Sequence, residues 1–271
     1  MDKPFTICGI DASLSSTGIC FAECTFEESV REGLLDLLIN LESSEDCTGI
    51  DSVFKIIHEN EIKCPKELDE ELIKVRKNQR EAVKSGNQTS LRDTAMEEWL
   101  VIRKIENIVD NVVADIISYN PDVVIVEDYS YHSQGSTTQL AELKGALKST
   151  LRHELFWRGC EPYFYTAPVP SVKKIASTNG LGNKQLICEN MTRYGFTGYE
   201  DKDDQLDAIA VALSMFYAIY YRLYGFDFPE PTGKTSKEKT KMKNDIKSWV
   251  KCLETFANRI GSKDDLEKWV M

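Results

Sequence analysis

The sequence predicts an α/β protein built around one sheet, and three observations carry that expectation. Short apolar runs alternate along the chain with stretches of helical periodicity, the pattern of strands and covering helices. One of those runs, Asp122-Val-Val-Ile-Val-Glu127, is continuously apolar, as in a strand buried on both faces. The composition is globular: 271 residues, 42% hydrophobic and 28% charged, with 15 Gly and 8 Pro. Those values exclude collagen-like, low-complexity and wholly disordered chains.

Taken in order, residues 5–12 are an apolar run with a polar tip, and Ser15-Ser16-Thr17-Gly18 turns into a second run over 18–24. Together they predict a hairpin of strands. Residues 27–94 are acidic first and then basic through Lys74, Arg76, Lys77, Arg80 and Lys84, and read as a mostly helical insertion. From 95 to 119, Leu100, Ile105, Ile108, Val109, Val112, Val113 and Ile116 keep helical spacing, and Asn120-Pro121 stops that helix. After the strand at 122–127, a helix over 136–157 carries Leu140, Leu143, Leu147, Leu151 and Leu155 on one stripe. Residues 162–167 predict a further strand, followed by helices from about 183 and over 203–224. Pro229, Pro231 and Gly233 then break the chain. A lysine-rich stretch follows, and Ile246, Trp249, Val250, Leu253, Phe256 and Ile260 make a terminal amphipathic helix. The expected division is a core from 1–26 and 95–225, an insertion at 27–94, and a C-terminal extension at 226–271.

Charge is unevenly placed. The formal net charge is −11, yet the segment from Glu23 to Glu71 alone holds 15 acidic against 4 basic residues. The remainder is neutral, so the total does not exclude a polyanionic partner. Eight cysteines without a C-x-x-C pair and only three histidines argue against a zinc site. Reduced thiols and a cytoplasmic location are expected, because the first ten residues read as a strand and not as a leader. The apolar run at 208–221 is too short to span a bilayer and reads as a buried helix, so no membrane partner is expected.

Four acids sit where a core would rather not have them. Asp11 ends the first strand on the face of Phe5 and Ile7, and Glu127 ends the strand at 123–126 on the face of Val123 and Ile125. Asp204 and Asp207 stand three apart at the start of an apolar helix and share a face, which Ala208 and Val211 continue. Asp203 competes with Asp204, since 203 and 207 also share a helical face. A carboxylate at the end of a buried strand is costly unless paired or bound to a cation. Oxygen donors without His or Cys suit Mg²⁺ or Mn²⁺, and two such ions per site are the arrangement that cleaves phosphodiesters.

Those residues carry a resemblance. Gly9-Ile-Asp11-Ala-Ser-Leu-Ser-Ser-Thr17-Gly18 resembles the opening strand and turn of the RuvC-type Holliday-junction resolvases of the ribonuclease H-like superfamily. Val-Ile-Val-Glu127 is similar to their second acidic strand, and Gln139-Leu-Ala-Glu-Leu-Lys-Gly145-Ala146 to the helix after it, where a Gly allows close packing. Val172-Lys173 through Gly180-Leu-Gly182-Asn-Lys184 resembles their basic segment, and Asp204-Gln-Leu-Asp207-Ala-Ile-Ala their final D-x-x-D-A-x-A helix. The five agree in order and spacing over about 5–24 and 95–224.

The resemblance implies a mixed five-stranded sheet flanked by helices, with three antiparallel strands continued by parallel ones. It implies Asp11, Glu127, Asp204 and Asp207 as metal-binding acids, and Lys173, Lys174 and Lys184 as DNA contacts. It also implies a homodimer that nicks branched DNA in symmetric pairs. The family places a stacking aromatic three residues after the strand Glu, where this chain has Ser130, so Tyr129 or Tyr131 is the expected substitute. The segments at 27–94 and after 225 have no counterpart in compact members and are what a viral or phage-type member would carry. Three other readings compete: a related nuclease acting on flaps or RNA–DNA hybrids, a sugar-kinase or chaperone-type ATPase domain, and a non-catalytic DNA-binding module. The ATPase reading needs a second domain and glycine-rich motifs that 271 residues and 15 glycines do not supply.

Overall fold

A computed structural model describes residues 4–39, 50–128, 137–157, 162–177, 184–199, 201–231 and 235–270. The strand hairpin forms as expected: β1 (Phe5–Asp11) pairs antiparallel with β2 (Ser16–Cys24), Asp11 lying opposite Gly18. The turn between them is closed by Thr17, whose Oγ1 donates to the Ser13 carbonyl and accepts from the Ser13 N–H. On the other side of β1, β4 (Val123–Glu127) pairs parallel, and β5 (Tyr163–Ala167) pairs parallel with β4. A third antiparallel strand, β3 (Phe54–Lys63), flanks β2. The sheet order is β3-β2-β1-β4-β5, the mixed five-stranded sheet that the resemblance implies.

The position of β3 differs from the sequence reading. It lies within 27–94, a stretch that is otherwise helical, with α1 (Arg31–Ile39) before it and α2 (Lys66–Lys84) after it. It occupies the sheet edge, and most of its residues are only partly buried, so no continuous apolar run announces it. Next, α3 (Leu91–Tyr119) opens on Ser90, whose hydroxyl accepts from the Asp93 N–H at 3.0 Å. It closes on Asn120 in the left-handed region at φ 43°, directly before Pro121.

Period-two alternation sends the strand side chains to two cores. Cys8, Ile10, Ile19, Phe21, Val124 and Val126 pack under α3 and α4 (Thr137–Trp157). Ile7, Cys20, Ala22, Val123 and Ile125 pack under α7 (Asp203–Tyr224), with α5 (Val169–Ser177) and α6 (Lys184–Arg193) beside it. The C-terminal extension, α8 (Ser236–Ala257) and α9 (Lys263–Val270), adds to this second layer through Trp249, Leu253, Phe256 and Leu266. By length and composition, the 22-residue α7 could cross a membrane, but 83% of its most apolar window is buried against the rest of the chain. It is the central helix of the second core.

Two glycines set how closely α7 lies on the hairpin. A Cβ on Gly9 would stand 2.4 Å from the Ala208 carbonyl oxygen and 2.6 Å from the Ala212 nitrogen. One on Gly18 would stand 1.8 Å from the Asp204 carbonyl oxygen. The helix backbone therefore touches the sheet backbone, and no side chain fits between them. Gly145, expected to serve close packing, has nothing within 4 Å of its missing Cβ. The close approach is made by α7 on β1 and β2, not by α4. Gly18→Ala is expected to cost roughly 2–3 kcal/mol by forcing α7 outward. Gly145→Ala is expected to add about 0.5–1 kcal/mol through helix propensity. Chemical denaturation of the two variants checks both signs.

Candidate active site

The register of the sheet brings the first two acids together. Ile10 pairs with Val126 across parallel β1 and β4, so Asp11 and Glu127, each the next residue, end adjacent strands side by side. Both follow the alternation onto the α7 face. Asp11 lies opposite Gly18, and Gly18 touches the backbone of Asp204, so the first turns of α7 overhang the end of β1. Asp11, Glu127, Asp204 and Asp207 are all partly exposed, which leaves the cluster open to solvent at the carboxyl end of β1 and β4.

Electrostatics report the crowding. Burial first, then Asp207 and Asp204, push Asp11 up to about 7, against the partial relief of Lys184 and Lys144. Burial, Asp11 and Asp207 push Glu127 up to about 8, with Lys173 and Lys144 opposing. Burial also raises Asp207 to about 6, where Lys184 opposes and Asp204 and Asp203 add to the rise. Asp203 is drawn off into an ion pair with Lys184, at 3.1 Å. Asp204, not Asp203, acts on Asp11, which favours Asp204 as the fourth member.

The expected cations divide. Lys173 and Lys184 face the carboxylates. Lys174 does not: it is buried with its Nζ 4.9 Å above the Trp249 ring, in contact with α8. Tyr129 and Tyr131 lie outside the described residues. One residue the sequence reading did not assign joins the site. Lys144 of α4 is 8% exposed, and its Nζ donates to the Glu127 carbonyl oxygen. Burial lowers its own basicity, while Asp128, Glu127 and Asp11 oppose that effect. The signal was present, because Lys144 falls on the leucine stripe of its helix, four after Leu140 and three before Leu147. A lysine inside an apolar stripe needs a partner, and here the partner is the end of the acidic strand.

The donor chemistry fits a hard divalent cation. Every candidate ligand is a carboxylate, neighbouring acids add to the rise of Asp11, Glu127 and Asp207, and all four are partly exposed. Among the described residues no three His, Cys, Asp or Glu side chains form a ready metal-holding group. The described acids therefore do not close a ligand shell among themselves.

No family model matches the chain, and no curated protein matches it. Solved structures do. RuvC of Thermus thermophilus aligns at 14% identity and a TM-score of 0.47, covering 79% of this chain and 95% of that one. The same protein in complex with a Holliday junction substrate gives 14% and 0.45 over the same shares. The yeast mitochondrial Holliday junction resolvase Ydc2 gives 14% and 0.41 over 92% of this chain and 83% of that one. At this identity and score the likeness assigns this chain neither a residue nor an activity, and it lends nothing to a viral or phage source. The fold rests on the strand order above.

The raised carboxyls make stability depend on pH. Free carboxyls lose their protons near 3.8 for Asp and 4.5 for Glu, whereas these hold theirs to about 6, 7 and 8. Across that window the folded state binds more protons than the unfolded one, so stability falls as pH rises. The decline ends above the highest folded value. Asp11→Asn removes one repelling charge, so in chelator its stability relative to wild type should be more favourable at about pH 8 than at about pH 5. Mg²⁺ should stabilise wild type at the higher pH more than the variant. Urea titrations at both pH values measure this, and an equal difference at both would contradict the mutual repulsion.

Proposed function

We propose that the protein is a metal-dependent endonuclease that resolves four-way or otherwise branched DNA by paired nicks, working as a homodimer. One observation carries this reading. Asp11, Glu127 and Asp207 converge from two strand ends and a helix, each raised partly by the charge of other members of the group, at an open edge beside Lys173 and Lys184. A fold does not hold such an arrangement for stability's sake, and raised carboxyls in an open cleft mark a functional site. Oxygen-only donors suit Mg²⁺ or Mn²⁺.

Asp11, Glu127, Asp204 and Asp207 would hold the ions. When bound, two such cations supply Lewis-acid charge for activating water and for stabilising the leaving oxygen of a phosphodiester. The chain's own groups do the rest. Lys173 and Lys184 lie within the field of the carboxylates and offset phosphate charge as the backbone approaches. Lys144 holds the carbonyl at the end of β4 and so fixes the base of Glu127. One chain carries one carboxylate cluster, whereas a four-way junction presents two equivalent strands about a two-fold axis. A closed dimer places two copies of the cluster to match.

A synthetic four-way junction incubated with Mg²⁺, with Mn²⁺ and with chelator tests the reading directly. Cleavage should require the cation, and Asp11→Asn should abolish cleavage while leaving junction binding intact. Binding should weaken linearly on a log–log plot against salt, with Lys173→Ala and Lys184→Ala each flattening the slope by about one. A supercoiled cruciform plasmid should yield linear product from paired cuts. Open circles alone, from a protein that sediments as a monomer, would leave a nickase and remove the paired mechanism.

A further inference from the structure

The helices α2 and α3 form an arm that rises beyond the carboxylate end of the sheet. Register shows this. β3 runs toward that end, because its last residue Lys63 pairs with Ser16 at the start of β2. Midway along β3, the Asn60 amide donates to Asp115 of α3 at 3.1 Å. Nearer the tip, Asp69 of α2 meets Lys104 of α3, and Arg76 meets Glu97 at 2.8 Å. The two helices are thus antiparallel, and α3 passes the end of the sheet near residue 107. About sixteen residues of it project past the sheet, roughly 24 Å at 1.5 Å per residue. Leu72, Val75, Leu100 and Val101 are buried along the arm, so it is a packed extension of the first core.

Its distal part is basic, whereas the first turns of α2 carry Glu67, Asp69, Glu70 and Glu71. From 73 to 103 it holds seven basic against four acidic residues. Lys77, Arg80 and Lys84 are all exposed and, spaced three and four apart, form one stripe along α2. On α3, Trp99 is 51% exposed with the Arg103 guanidinium 5.7 Å from its ring centroid. Positive charge that projects past the end of the sheet carrying a site read as cutting DNA is complementary to the phosphate backbone of a duplex.

We propose that the α2–α3 arm is a second DNA-contact surface, which grips the duplex leading away from the cleaved strand through Lys77, Arg80 and Lys84. This rests on the endonuclease reading above. It also sets a length requirement, because about 24 Å of arm corresponds to roughly seven base pairs at 3.4 Å each.

The test compares full-length wild type with Lys77→Glu/Arg80→Glu/Lys84→Glu on a synthetic four-way junction. The triple variant should bind at least tenfold more weakly at low salt, with the log–log salt slope reduced by about three. Single-turnover cleavage at saturating protein should be unchanged, since no catalytic acid is touched. The neutral triple Gln variant should give an intermediate loss with the same circular dichroism. Lys55→Glu, a single charge reversal at the opposite end of β3, should bind as wild type does. On junctions whose arms are trimmed below about seven base pairs, wild type should lose this advantage and match the triple variant. An unchanged affinity and slope would overturn the arm as a DNA surface and leave the endonuclease reading standing. A variant that changes sedimenting mass instead would make the arm a protein interface. A wild type that binds no branched DNA removes both readings.

Discussion

The seating of one helix on one hairpin governs the rest of this molecule. Gly9 and Gly18 let the backbone of α7 rest on β1 and β2, where any side chain would intrude on Asp204, Ala208 or Ala212. That contact buries nearly the whole of α7 from Leu206 to Leu223 and welds together the larger of the two cores. It also leaves no freedom over where the first turns of α7 end. They must stand over the tips of β1 and β4, with Asp204 and Asp207 facing Asp11 and Glu127. Apolar burial over five helical turns outweighs the repulsion among a few partly solvated carboxyls, so packing decides and the electrostatics accommodate.

The accommodation is incomplete, and the incompleteness is informative. Three lysines surround the acids, yet Asp11, Glu127 and Asp207 all remain raised. Had the chain needed only a stable polar cluster, pairing each acid to a cation would have lowered them instead. Here Lys184 is shared with Asp203, and Lys144 donates to the Glu127 carbonyl. The protein therefore keeps a cluster of raised carboxyls at the end of the sheet, positioned by backbone packing. A proton or a bound cation would relieve the same repulsion.

How much of this was legible in the sequence depends on what each residue had to signal. Strands β1, β2 and β4 announce themselves because burial on both faces demands unbroken apolar runs. The acids stand out at the ends of those runs because burial makes them costly. β3 is silent for the converse reason: as an edge strand it exposes His58, Glu59, Asn60 and Glu61 at least in part, and its text blends into the surrounding charge. α5 was also missed, since nine residues containing Pro170 hold too few turns for a periodic stripe. Lys173 and Lys174 are neighbours in sequence, and only the rotation of that short helix separates them, one toward the carboxylates and one onto Trp249. Gly145 misled for a different reason. A motif can mark a glycine as special without saying which partner it meets, and in this chain the backbone contacts fall on Gly9 and Gly18.

The acidity of the chain, which at first opposes a polyanionic partner, changes its meaning once it is placed. Glu27, Glu28, Glu32 and Asp36 follow β2 and lie where α7 ends: Tyr220 donates to the Glu27 carbonyl oxygen and Tyr224 to that of Phe26. The carboxylate cluster is at the start of α7, the opposite end of a helix 22 residues long. Those acids stand away from the site, whereas Glu59, Glu61, Glu67, Asp69, Glu70 and Glu71 lie on β3 and the first turns of α2, toward the carboxylate end. With a Debye length of about 8 Å at physiological salt, the acids at the far end of α7 are screened from the site, and the acids and lysines beside it set the local field. The net charge of −11 is therefore a sum over separate patches and does not describe the field at the carboxylate cluster.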